Sequence, residues 1–200
     1  MSSDTSTPGP AARLTLDDFA ECVDHLVQRL EALPDERWSA PAGTLRWTVA
    51  QTVDHLVDGY AWLAMQAVEP RFGRVRADIV VHEGVSTDDR LAAVAAAREL
   101  FIMVLAHTPA DRKIWHPHGT TDASGILAMG VAESTLHGYD MGVVDLNARP
   151  PALAHGVVDR LLPDSPRDAG PWQGLLWSTG RLSLPGRDDV TSWQWDPAPR

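Results

Sequence analysis

The chain reads as all-α, a four-helix bundle with one long crossover connection. Three observations predict this. Four stretches, at about 15–33, 48–68, 86–107 and 124–145, carry apolar residues at helical spacing. Thr15, Thr48 and Ser86 or Thr87 stand where N-terminal caps are needed. The connection over 69–85 has the length that two adjacent parallel helices of a bundle require.

Each element has its own local reason. In the first helix Asp17 and Asp18 suit the positive helix end, and Phe19, Val23, Leu26, Leu30 and Leu33 make its buried stripe. His25 lies beside that stripe and reads as a half-buried structural histidine rather than a ligand. Pro34 ends the helix, and 34–47 is a loop holding Trp38 and Trp47. Thr48-Val-Ala-Gln51 is a capping box that opens the second helix. Val49, Val53, Leu56, Tyr60 and Leu63 form its apolar face, Asp54 and Asp58 its solvent side, and His55 lies between them on a strip with Thr52 and Gly59. In the connection, Ile79-Val-Val-His-Glu83 allows a short strand, and Arg71, Arg74 and Arg76 read as solvated loop charges ahead of an anion site. Leu91, Val94, Phe101, Val104 and Leu105 mark the third helix as strongly buried. A loop over 108–123 carries Trp115-His-Pro-His-Gly119, and the fourth helix follows. Pro151 suits the first turn of a fifth, short helix over 151–162, and Trp172 to Trp177 gives one or two further turns. Residues 1–13 are expected to be a disordered N-terminus, 14–163 the bundle, and 164–200 a C-terminal extension packed on it.

The composition excludes several function classes. Apolar residues are 44% and charged residues 22%, ordinary for a soluble globular chain. A net charge of −10 argues against nucleic acid and against an anionic membrane surface, both of which need Lys and Arg clusters. No apolar run reaches the roughly 18 residues of a spanning helix, and no secretory leader is recognisable. Cys22 is the single cysteine, so no internal disulfide forms and a cytoplasmic location is expected. It lies on the apolar stripe and reads as a small core residue rather than a nucleophile. Among the basic residues Lys113 is the only lysine, and Ala, Gly and Pro are abundant, a high-GC coding signature.

The stretch Val131-Ala-Glu-Ser-Thr-Leu-His-Gly-Tyr-Asp140 carries the chemistry. Glu133 and His137 lie four residues apart, so they stack on one helix face. That face is otherwise apolar, with Ile126, Met129, Gly130 and Val144 at helical spacing. A carboxylate and an imidazole in such a place must be neutralised, paired, or bound to a cation. Two ligand-type side chains at this spacing suit a divalent metal such as zinc, and His55 is the best third donor. The bland alternative is that Glu133 and His137 pair with each other or with an arginine. Asp140, one turn on, is either a hydrogen-bond partner for His137 or a helix-end polar contact. His116 and His118 could line a pocket mouth, but Pro117 makes joint chelation by both awkward.

Trp38, Trp47-Thr-Val with His55-Leu56, Glu133-x-x-x-His137-Gly-x-Asp140, and Leu175-Leu-x-x-x-Gly180-Arg181 together resemble the N-terminal domain of mycothiol-dependent maleylpyruvate isomerase, a family within the DinB-like four-helix-bundle superfamily. The resemblance covers about 15–183. It implies a DinB-like bundle and a metal triad at His55, Glu133 and His137. It implies zinc first, nickel second, and mycothiol as the thiol cosubstrate that the metal deprotonates. Arg181, Trp62, His116 and His118 become candidate cofactor contacts. The isomerase carries a sizeable C-terminal domain, and only a short extension follows the fifth helix here, so that domain is expected to be absent or vestigial. The function expected is a metal- and thiol-dependent transferase acting on a small-molecule electrophile. The competing readings are a thiol-dependent cis–trans isomerase, a non-catalytic metal- or ligand-binding protein with His116 or His118 closing the site, and, ranked last, a metal-dependent hydrolase. Either a monomer or a homodimer is compatible with the sequence.

Overall fold

The computed structural model describes residues 13–200; the expected disordered N-terminus lies outside them, apart from Arg13. Among the described residues the fold is all-α apart from one hairpin and an isolated bridge between Pro41 and Thr48. Its helices are α1 (Leu16–Glu31), α2 (Asp35–Trp38), α3 (Val49–Val68), α4 (Thr87–Ala106), α5 (Ala123–Asp140), α6 (Pro151–Leu161) and α7 (Pro171–Ser178). Strands β1 (Ile114–His116) and β2 (Gly119–Thr121) pair antiparallel, and a 3-10 turn spans Leu146–Ala148.

Four helices form the bundle, and their adjacency is cyclic. α1 packs on α4 and α5, and α3 packs on the same two. The α3–α5 contact, which no sequence pattern dictates, is the one that assembles the site. α6 lies on α5, and α7 lies on α6.

Local chemistry starts each bundle helix. Thr15 and Thr48 make full capping boxes with Asp18 and Gln51, and Ser86 and Asp122 accept the amide protons of Asp89 and Gly125. Between the helices lies an aromatic core. The Phe19 ring meets Tyr60 edge-on at 5.2 Å and tilts on Phe101 at 4.3 Å, all three fully buried. Each such pair adds about 0.5–1.5 kcal/mol beyond its area burial. Gly130 faces this cluster; a Cβ there would come within 2.8 Å of Phe101 and 3.0 Å of Phe19. Close packing of the rings therefore requires glycine inside a helix, despite an intrinsic cost of about 1 kcal/mol relative to alanine.

Several local expectations are corrected. Residues 34–47 contain the extra helix α2, whose acidic first turn follows Pro34. The loop over 108–123 contains the β1–β2 hairpin. Residues 79–83 form no strand. The fourth predicted helix ends at Asp140 rather than near 145, because Gly142 takes φ +70° just past the C-terminus and the amides of Val143 and Val144 turn back to the Gly138 carbonyl. Asp54 and Asp58 are not merely solvated. Asp54 pairs with Arg90 at 2.5 Å and ties α3 to α4, and Asp58 accepts the Ile79 amide at 2.7 Å and fastens the crossover. Trp62 and Gln66 do the same, donating to the carbonyls of Val75 and Gly73.

Candidate metal centre

α3 presents His55 and α5 presents Glu133 and His137 at the contact between the two helices. One ligand atom from each residue lies within 4.8 Å of the others, and among the described residues this is the one such group of three or more His, Cys, Asp or Glu. His137 Nε2 is 3.1 Å and His55 Nε2 is 3.4 Å from the same oxygen, Glu133 Oε2. The imidazoles stand at 88° with centroids 5.0 Å apart. Two imidazole nitrogens and a carboxylate oxygen form a donor set that zinc takes while keeping one position open. The side chains are exposed by 34% at His55, 22% at Glu133 and 9% at His137, so access is from the His55 side. Trp47 roofs that side, its ring 4.7 Å from His55 and 6.3 Å from His137.

Behind His137 a second layer fixes the ring. Nδ1 donates to Asp140 Oδ2 at 3.1 Å, which leaves Nε2 facing the cluster. Arg181 grips both oxygens of Asp140, Nε at 2.9 Å and Nη2 at 2.8 Å, and its Nη1 donates to the Thr179 carbonyl. Asp140 is thus a hydrogen-bond partner for His137. Arg181, weighed above as a cofactor contact, has its guanidinium taken up by that carboxylate. Beyond this pair opens a cavity of about 370 Å³ with Arg37 and Thr44 in its wall.

The electrostatics follow from these contacts. Burial alone would raise the Glu133 carboxyl, but hydrogen bonds and charge from His137 and His55 outweigh it and hold it well below the usual carboxylate range. Burial would lower His137, but hydrogen bonds and charge from Asp140 and Glu133 raise it to about 9. Without an ion, a proton balances the carboxylates. A divalent cation in its place would release that proton.

The other sequence candidates lie elsewhere. Trp62 is two turns beyond His55 on α3 and holds the crossover. His116 is buried on β1, and His118 stands exposed in the hairpin with ring centroids 5.4 Å apart; neither belongs to the cluster, so the expectation that one of them closes the site is not met. Burial and the nearby His118 depress His116 to about 4. Cys22 is buried and its thiol is pushed up to about 11 by that burial, an inert core residue as read. His25 is half-buried and outside the cluster. The sequence reading had not given Trp47 a place at the site or singled out Arg37. The signals for Trp47 were its position directly before the cap of the helix bearing His55 and its place in the Trp47-Thr-Val motif.

Comparison with known proteins agrees with this architecture. The profile of the DinB superfamily matches residues 18–141. No curated protein matches the chain. A solved structure of a histidine-to-alanine mutant of a mycothiol-dependent maleylpyruvate isomerase shares the fold, with a TM-score of 0.57 at 14% identity, covering 70% of this chain and 65% of that one. A second structure of such an isomerase is 17% identical over the same shares, with a TM-score of 0.48. The chain therefore spans 65% of the length of these solved structures, and at such identities the likeness is one of fold. Among the described residues no helix is long and apolar enough to cross a membrane. The profile match covers most of the bundle and the site's own helices, and the chain belongs to the DinB superfamily.

Proposed function

We propose that the protein is a metal- and thiol-dependent transferase, with mycothiol as the thiol and a small electrophile as the acceptor. The observation that carries this is the His55, Glu133 and His137 cluster, which draws donors from two helices and leaves the His55 side open. The donor set fits a divalent ion, zinc first and nickel second. Such an ion supplies one thing, a lowered thiol pKa, so that the sulfur is held as the nucleophilic thiolate.

The chain's own residues do the rest. Asp140 fixes the tautomer and direction of His137, and Arg181 keeps Asp140 ionised and in place. Glu133 sets a full negative charge beside the imidazoles and balances a cation. Trp47 sets an indole face beside His55 on the open side. The cluster contains no nucleophilic side chain, and Cys22, buried with a raised pKa, is unsuited to serve as one. The protein's contribution is thus positioning and a fixed electrostatic frame.

Metal analysis and calorimetry test the reading. Protein purified without chelator should carry stoichiometric divalent metal and bind mycothiol, with neither property surviving in His55→Ala or Glu133→Ala. Metal-free wild-type protein with no affinity for added zinc or thiol would sink it. The fold likeness to a mycothiol-dependent maleylpyruvate isomerase favours a second reading, thiol-assisted cis–trans isomerisation at the same site. A product assay separates the two, since an isomerase returns the thiol unconsumed.

A further inference from the structure

A second cavity, of about 520 Å³, opens between α6, α7 and the C-terminal strap (residues 182–200). Three indoles line it, from Trp177 on α7 and from Trp193 and Trp195 on the strap, together with His118, Asp164 and Asp196. No lysine or arginine is among its described lining residues. Trp193 and Trp195 meet at 67° with centroids 4.6 Å apart, so the two rings form a corner. Trp195 is its buried anchor, and Trp193 stays 39% exposed. The walls are pinned before any ligand arrives. The Asp196 amide donates to the Leu161 carbonyl at 2.8 Å, and Arg160 donates to the Pro197 carbonyl at 3.2 Å.

The chemistry of this box is one-sided. Its indoles already attract cations: the Arg181 guanidinium lies 6.0 Å from the Trp193 centroid, and that of Arg187 lies 5.8 Å from Trp177. Both guanidiniums are neutralised elsewhere, by Asp140 and Asp168. Asp196 is engaged by Arg200. Asp164, exposed at the rim, makes no ion pair with any described residue. An anion would meet electron-rich ring faces and two carboxylates. A cation would find complementary charge in the indole faces and in the Asp164 carboxylate.

We propose that this cavity binds an organic cation, with its ammonium group against the indole corner of Trp193 and Trp195 and Asp164 as its counter-ion. The cavity shares no described lining residue with the His55, Glu133 and His137 cluster, and Arg181, which lies against Trp193 and clamps Asp140, links the two.

Choline is the probe, set against its uncharged isostere in which carbon replaces nitrogen, with tryptophan fluorescence and calorimetry on the full chain as readouts. Choline should quench or shift the fluorescence saturably and bind about tenfold more tightly than the isostere. Trp193→Ala should abolish the response. Asp164→Asn, at an exposed position where folding is not at stake, should weaken choline several-fold and flatten its salt dependence while leaving the isostere unchanged. His55→Ala should bind choline as the wild type does, whatever becomes of its metal. Equal binding of choline and isostere overturns the proposal. So does a saturable response to inositol with none to choline, or the absence of any saturable choline response.

Discussion

Glu133 and Ser134 are neighbours on α5, yet they look into regions built on opposite rules. Ser134 faces the aromatic core. Its hydroxyl donates to the Gly130 carbonyl at 2.7 Å, so the Tyr60 hydroxyl must be the donor in the 2.7 Å bond between them. Every donor there has its acceptor inside the fold, and the region is closed. Glu133 faces the candidate metal centre, where two imidazoles converge on one carboxylate oxygen. That region is balanced only with a proton or a cation between its groups. A buried polar network satisfied by the fold contributes stability and a unique packing, whereas one completed by something exchangeable can bind and react.

Substitutions can break or sharpen this contrast. The largest effect is expected from Glu133→Ala, which should remove stoichiometric metal altogether while circular dichroism stays that of a folded bundle and the thermal transition falls only by the share that the lost pair with His137 contributes. Phe101→Ala should do the reverse, costing about 3–5 kcal/mol in denaturant unfolding while metal content per folded chain is unchanged. Should both variants lose fold and metal together, the two regions are not separable. Asp140→Asn should lie between them, weakening metal affinity about 10–100-fold by titration and lowering stability because Arg181 is left buried beside a neutral amide. Tyr60→Phe should be milder, at about 1–3 kcal/mol, because it removes a donor and leaves the Ser134 oxygen short of one partner.

The smallest and most graded test is pH. In the metal-free protein His137 is raised from 6.5 to about 9, so its share of stability is complete below pH 6.5 and is lost as pH rises through 9. Glu133 is lowered, so its share is present above 4.5 and lost as pH falls toward its depressed value. Thermal melts of metal-free protein should therefore weaken on the alkaline side, and His137→Gln should flatten that slope. Zinc affinity should instead increase with pH, with proton release measurable by calorimetry in buffers of different ionisation enthalpy.

Much of the bundle was legible in the sequence because its signals are local. The N-cap at Thr15, the capping box at Thr48 and apolar residues at helical spacing place the starts of α1 and α3 within a residue of where they fall. The overrun of α5 past Asp140 came from following apolar periodicity through Gly142, although a glycine after the helix was the stop signal. The hairpin was missed although Ile114-Trp115-His116 and Gly119-Thr120-Thr121 flank a short Pro117-His118 link, because a three-residue strand gives too little alternation to register. The i, i+4 spacing of Glu133 and His137 was fixed by α5 alone.

What the sequence by itself determined was therefore everything that depends on neighbours along the chain: helix starts, the apolar stripes, and the acid–imidazole pair. Only the tertiary structure decided that α3 lies against α5 so that His55 completes the cluster, that Trp47 roofs it, and that Arg181, 41 residues after Asp140, clamps that carboxylate. The physical reason is range. Backbone hydrogen bonds and caps act over three or four residues, whereas contacts between helices are set by the packing of whole faces, which no short spacing encodes.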